Sequence, residues 1–391
     1  MAFRPDMGER AAKIRRRLFE AQATDLDAVI GLTPESVYYL SGYKSMAHDT
    51  DRHHAMAAVA TRERCILVAP AVDFGAALEV VSDPGDIRTF GRFRFESEPG
   101  AAPALPKPFE SFADALTDSL GSLGRIGTIG LDEAPGGAVA TALAAAHPGI
   151  RCQPARHLLL RARSIKLPEE LDLLARATAL AERSLMQAVA TAKAGMTEWE
   201  VAAAITHGIV SGGGVPGFVV VTSGERSALA DAYPSGRRLQ PGDLVRFDIG
   251  CTVDGYWADM ARTAVVGTPD ARMRRAFAAV EAGTRFAVET VRPGMAAGEL
   301  FDRTVAHVRQ HGLPDFERHH IGHGLGLECF EAPVLAPRGD AILTEGMVLC
   351  LEAPLYVLGW GGMMVEETLA LTGDGVRLLT RSETSLIMIP G

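Results

Sequence analysis

The sequence predicts a two-domain protein: a small α/β domain over 1–160, then a larger α+β domain over 165–391. Three observations lead there. The chain has 391 residues, and domains of ~150 residues give a prior of two or three. Helix and strand signals alternate up to residue 160, the pattern of an α/β layer. Beyond residue 165, long helical periodicities surround two pairs of alternating apolar runs that carry acids at matching places.

In the first part a basic helix is expected over 10–23, followed by strands over 28–32, 56–60, 65–68 and 128–131. The stretch 96–108 holds Pro99, Gly100, Pro103, Pro106 and Pro108 and reads as a loop. A boundary falls at 164–170, where Pro168 followed by Glu169 and Glu170 starts a helix well: proline suits the first helical position and acids the first turn. Leu171, Leu174, Thr178, Leu185 and Val189 then share one face of a long amphipathic helix. Further helices are expected over 198–210, 271–291 and 298–311.

Composition narrows the function classes. Apolar residues make up 47% and charged residues 22%, with 39 Lys+Arg against 48 Asp+Glu for a net charge of −9. That balance argues against nucleic acid or an anionic membrane surface as partner, since both need a basic face. Cys65, Cys152, Cys251, Cys329 and Cys350 are scattered, with no Cys-x-x-Cys pair, so neither a disulfide framework nor a thiolate zinc site is expected. No apolar run approaches the ~18 residues of a membrane span, and the charged start shows no secretory h-region. A cytoplasmic protein is the expectation.

The acids of the second half are placed to meet. Asp254-Gly255, flanked by β-rich runs, signals a two-residue hairpin. With that turn Val253 faces Tyr256 and Gly250 faces Asp259, and Asp248 lies on the same face one diagonal step away, Gly250 leaving the face open between them. Val348, Cys350 and Glu352 alternate on one later run, Met364, Glu366 and Thr368 on another. A hairpin centred on Gly359 sets Glu352 opposite Glu366. His323 sits between Gly322 and Gly324 with its imidazole unobstructed. Like charges aimed at one spot repel unless a cation lies between them. Read singly, the same residues are solvated acids on ordinary hairpins and a loop histidine. Read together, four carboxylates and one imidazole suit two divalent ions, Mn²⁺ favoured by the hard donors, with Fe²⁺, Co²⁺ and Zn²⁺ as alternatives.

The motifs RFDIG, ADMART, IGHGLGLE, LCLEAP and MVEETL, in that order, resemble the pita-bread-fold metallopeptidase family of Xaa-Pro aminopeptidases, prolidases and creatinases. Tyr38-Tyr39-Leu40-Ser41-Gly42-Tyr43 resembles a piece of the family's N-terminal domain. The resemblance implies that Asp248 binds one metal, His323 and Glu352 the other, and Asp259 and Glu366 bridge them. It implies a dinuclear hydrolase of a C–N bond that attacks through a metal-bridging hydroxide, with Glu352 as proton shuttle, acting on a short peptide or other small molecule. It also implies a homodimer; the polar segment 48–54, with Arg52, reads as a solvated loop or, by the resemblance, as a cover over a neighbour's site.

The chain departs from the peptidase pattern at two histidines, replaced by Asp231 and Phe330, and at a common asparagine, replaced by Arg226. Asp231 suits a cationic substrate group and Arg226 a carboxylate, which raises the alternative of a small zwitterion (ectoine-, creatine- or dimethylsulfoniopropionate-like) taken by a hydrolase or lyase. A metal-binding scaffold without turnover is the remaining alternative. His319, four residues before His323, is expected to line the site with a catalytic role; His320 and His207 are read as structural. Phe330 is expected beside the metals, and Arg262 on the hairpin face opposite Asp259, as a support.

Overall fold

The computed structural model describes residues 5–96, 98, 105–133 and 137–391. The chain divides into two compact units, Met1–Ala162 and Arg163–Gly391. Among the described residues no helix is long and apolar enough to cross a membrane.

The first unit holds a six-stranded sheet of β1 (Ala28–Gly31), β2 (Ala57–Ala60), β3 (Cys65–Pro70), β4 (Ile87–Phe90), β5 (Thr128–Leu131) and β6 (Arg151–Pro154), in the order β4-β3-β2-β1-β5-β6. The four residues of β1 and of β2 are all buried, because helices cover both faces and the strand residues have no water-facing side. The opening helix runs Pro5–Ala21, earlier than its apolar periodicity implies. Helix Pro34–Ser41 starts on the Thr33 cap with proline in its first turn and stops at Gly42, φ 79°, as cap chemistry dictates. The edge strands β4 and β6 were not expected from the sequence. They are four residues each, and β6 has no buried residue, so neither leaves an apolar run to read. The proline-rich stretch 96–108 lies partly outside the described residues. In the segment 48–54, Arg52 forms a two-pronged pair with Glu35 at 2.7 and 2.8 Å.

The second unit carries helices Pro168–Thr191, Glu198–Ser211, Ala271–Thr290 and Ala297–Gln310. Thr197 accepts the Glu200 N–H while Glu200 reaches back to the Thr197 N–H, a reciprocal start to the second helix. One sheet orders as β17-β9-β8-β7, from β7 (Val215–Ser223), β8 (Leu244–Val253), β9 (Tyr256–Val266) and β17 (Ile387–Ile389). The other orders as β11-β10-β12-β15-β16, from β10 (Gly322–Gly324), β11 (Glu331–Val334), β12 (Val348–Glu352), β15 (Glu366–Thr372) and β16 (Gly375–Leu378).

Both hairpins have the expected register. Asp254 (φ 47°) and Gly255 (φ 80°) make the turn, setting Val253 against Tyr256 and Gly250 against Asp259. Glu352 pairs with Glu366, and the same register continues through β13 (Leu355–Val357) and β14 (Gly361–Met363) around Gly359. Strand alternation then sorts the side chains. Phe247, Ile249 and Cys251 enter a core with Leu185 and Ile205, which leaves Arg246, Asp248 and Gly250 on the other face. Leu349, Leu351, Leu369 and Leu371 do the same in the second sheet. Fully buried Arg262 ties the two hairpins: it pairs with Glu367 at 2.7 Å and donates to the Glu366 carbonyl at 2.8 Å.

Candidate metal centre

The two hairpins and β10 bring Asp248, Asp259, His323, Cys350, Glu352 and Glu366 together beside a cavity of about 490 Å³. Asp259, His323, Glu352 and Glu366 are all buried. Gly322 makes the approach of β10 possible. Its φ is +147°, and a Cβ there would lie 2.1 Å from the Cys350 carbonyl oxygen, so β10 packs against β12 where no side chain fits. The His323 Nδ1 contacts the Gly324 carbonyl at 3.0 Å. A carbonyl only accepts, so Nδ1 carries the proton and Nε2 turns its lone pair toward Asp259 Oδ2, 3.7 Å away. That is how ligand imidazoles are oriented.

The donor set fits divalent cations. Oxygens of Asp259 and Glu366, a nitrogen of His323 and the sulfur of Cys350 all lie within 4.8 Å of one another. Asp259 Oδ1 and Glu366 Oε2 are buried with no hydrogen-bond partner, a costly state for a carboxylate unless a charge satisfies it. Burial, with Asp248 and Glu352 nearby, holds the Asp259 carboxyl well above its ordinary range. Burial and Asp259 do the same to Glu366. Asp248 is raised by burial, against the pull of Arg246 at 2.9 Å. Burial moves Glu352 up to about 7 and His320 down to about 4. The His320 Nδ1, which accepts the Gly322 N–H at 3.2 Å, lies 3.2 Å from Glu352 Oε1, a contact between a raised carboxyl and an imidazole that burial keeps neutral.

Two of the predicted substrate residues stand at the cavity, whereas Arg226 and His319 do not. Asp231 is exposed and lines the cavity. Phe330 lines it too, its ring 4.0 Å from that of His323. Arg226 does not line it: its Nε lies 3.2 Å from Glu198 and its Nη2 donates to the Tyr233 carbonyl at 2.8 Å. Glu198 is fully buried and needs a cation, which outweighs any pull on Arg226 from the cavity. His319 is exposed, and it is His320 that lies buried against Glu352. The face at Gly250 is not open: a Cβ there would lie 2.3 Å from Phe218, whose ring fills it and walls the cavity.

The sequence reading missed two thiols. Cys329 Sγ donates to Asp259 Oδ2 at 3.1 Å. Cys350 shares a strand face with Glu352, a signal the alternation already held. Glu331 was missed as well. It is buried between Arg163, 2.5 Å away, and Lys166, 3.1 Å away, and it accepts the Leu327 and Glu328 N–H groups, so it anchors the loop that carries Cys329 and Phe330.

Residues 172–373 match the model of metallopeptidase family M24, and residues 10–165 that of the creatinase/prolidase N-terminal domain. The chain belongs to metallopeptidase family M24. Its similarity to the Xaa-Pro dipeptidase of Pyrococcus furiosus is 35% identity over 227 residues, 58% of this chain and 65% of that protein. With the Xaa-Pro dipeptidase of Pyrococcus horikoshii it is 34% over equal shares. The matched part thus spans just under two thirds of these M24 relatives. The solved prolidase of Pyrococcus furiosus is similar at TM-score 0.74 and 26% identity, covering 94% of this chain and 99% of that one. The dipeptidase PepE of Mycobacterium ulcerans is similar at TM-score 0.77 and 25% identity over the whole of both chains. An N-terminal creatinase-type domain followed by an M24 domain of pita-bread fold is the architecture the motifs implied.

Proposed function

We propose that this M24 protein is a dinuclear metal-dependent hydrolase of a C–N bond, acting on Xaa-Pro dipeptides. The observation that carries the reading is the set of buried carboxylates, two with unpartnered oxygens, that converge with His323 on one cavity. Asp248 and Asp259 would hold one ion, His323 and Glu352 the other, with Asp259 and Glu366 shared; hard oxygen donors favour Mn²⁺. Two bound divalent cations supply Lewis-acid activation of a water and of a carbonyl oxygen.

The chain's own groups do the rest. Attack by water on a carbonyl releases a proton, and the departing amine needs one. Glu352, buried beside the centre, would take the first proton and return it to the amine, as a carboxylate shuttle does. His320 Nδ1, which accepts the Gly322 N–H, lies 3.2 Å from Glu352 Oε1 and packs against it. Arg246, fully buried, keeps Asp248 aimed into the site. Phe218 and Phe330 wall the cavity and limit water, and Asp231 offers a carboxylate to the substrate's amino group.

One observation favours a second reading. Asp231 and Phe330 make the cavity rim acidic and aromatic, which suits a small zwitterion that is not a peptide. Mass spectrometry of a pool of Xaa-Pro dipeptides and tripeptides with ectoine, creatine and dimethylsulfoniopropionate, incubated with Mn²⁺-loaded protein, separates the two. Loss of the proline dipeptides, absent in Glu352→Ala, is expected. Loss of a zwitterion alone gives the second reading, and loss that persists in Glu352→Ala refutes both.

A further inference from the structure

Strand alternation brings a thiol into the cluster of acids. Cys350 shares a face of β12 with Glu352 and is fully buried. It pairs directly with His323 of β10 on one side and with Thr368 of β15 on the other. Its Sγ is one of four donor atoms, with those of Asp259, His323 and Glu366, that lie within 4.8 Å of one another. Among the described residues Glu352 is not a member of that set, and its Oε1 stands 3.2 Å from His320 Nδ1.

The sulfur keeps its lone pairs. Thr368 Oγ1 lies 3.7 Å from Cys350 Sγ but donates its one proton to the Asp259 carbonyl at 2.6 Å, so the thiol is the donor toward Thr368. Two carboxylates of the same set each hold an oxygen without a partner, Asp259 Oδ1 and Glu366 Oε2, on residues that are 6% and 1% exposed. Such oxygens call for a cation. An ion with bonds of about 2.0–2.3 Å is the size that draws a set of this width together. Sulfur, imidazole nitrogen and two carboxylate oxygens are a softer mixture than oxygen alone and suit Zn²⁺ over Mn²⁺. Asp248, held by Arg246 at 2.9 Å, offers oxygen only.

We propose that Cys350 is a ligand of the ion held by His323, and that the centre is therefore unequal: a zinc-selective position at Cys350 and His323 beside an oxygen-only position at Asp248 that takes Mn²⁺. The thiol binds as the thiolate, its proton leaving to solvent as the cation enters. This rests on the dinuclear reading above and changes only which ion the His323 position takes.

Full-length protein freed of metal by a chelator and reloaded with Co²⁺ in the absence of air reports on the sulfur directly. A cobalt–thiolate bond absorbs strongly in the near ultraviolet, where carboxylate and imidazole ligands do not. Wild type and Cys329→Ser should show that band. Cys350→Ser, which exchanges one atom, should take up cobalt and lack it. Cys329 is the control because its thiol also touches Asp259, at 3.1 Å. In dialysis against equal Mn²⁺ and Zn²⁺, elemental analysis of wild type should find both metals retained. Cys350→Ser should weaken zinc binding by about 100-fold or more, since even partners beyond the ligands are worth about 10- to 100-fold, and manganese binding by less than about tenfold. Cobalt bound by wild type without the band, a band that follows Cys329, or zinc affinity untouched by Cys350→Ser would overturn the proposal and leave the dinuclear reading standing. Wild type that takes up none of the three metals would overturn both. Should Cys350→Ser fail to fold, zinc-edge X-ray absorption of Cys329→Ser decides: sulfur at about 2.3 Å supports the thiolate, and a shell of oxygen and nitrogen alone overturns it.

Discussion

Glu331→Gln should destabilise the catalytic unit by several kcal/mol without touching a predicted metal ligand. Glu331 is 5% exposed and accepts from Arg163 Nε at 3.2 Å and Nη2 at 2.5 Å, from Lys166 at 3.1 Å, and from two backbone N–H groups. Burial alone would raise its carboxyl, yet the two cations carry it from 4.5 down to about 2. A fall of that size corresponds to ~3 kcal/mol. A second route agrees: a buried pair stripped of one partner loses about 3–5 kcal/mol, because the remaining charge is left uncompensated. In a unit of this size ~3 kcal/mol lowers the thermal midpoint by about 10 °C. The pH dependence is the diagnostic part. A depressed carboxyl stabilises fully above its ordinary value of 4.5 and ceases to do so as pH falls towards about 2. Urea melts of wild type and Glu331→Gln at pH 7, 4 and 3 should therefore differ most at pH 7 and converge on acidification. A variant within ~0.5 kcal/mol of wild type at pH 7, or a gap that ignores pH, would refute the reasoning.

Two further outcomes follow from the site. Without bound cations the folded protein holds protons on Glu352, at about 7, and on Asp248, Asp259 and Glu366 that the unfolded chain releases. Stability of chelator-treated protein should then fall as pH rises from about 4.5 through 7, and Mn²⁺ at a thousandfold excess over its Kd should restore about 4 kcal/mol. Equal chelated midpoints at pH 5 and pH 8 would count against the cluster. Gly250→Ala puts a Cβ 2.3 Å from the Phe218 ring and should cost about 1–3 kcal/mol by overpacking, with a raised KM as the cavity wall shifts. Unaltered melting and unaltered KM would show that Phe218 does not depend on the missing side chain.

Much of this was legible in the linear chain because it depends on local chemistry. Asp254-Gly255 selects a two-residue turn, and turn plus period-two alternation fix which residues face each other, so Gly250 against Asp259 and Glu352 against Glu366 could be read directly. Pro168 marks a helix start for an equally local reason. Alternation also put Arg262 on the face away from Asp259, where it joins the hairpins.

Partner choice was not legible. Arg226 and Asp231 are neighbours in sequence, yet Arg226 serves Glu198, 28 residues away, because a fully buried carboxylate exerts the stronger claim on a cation. Whether His319 or His320 turns inward depends on how the chain enters β10, and β10 is placed by Gly322 against the Cys350 carbonyl, a long-range contact. Arg163 and Lys166 meet Glu331 across more than 160 residues. By itself the sequence determined the fold family, the hairpin registers and the acids that can converge, since strand period and turn chemistry act over a few residues. Which charges share a buried space was decided only by the tertiary structure, because desolvation depends on everything packed around a group.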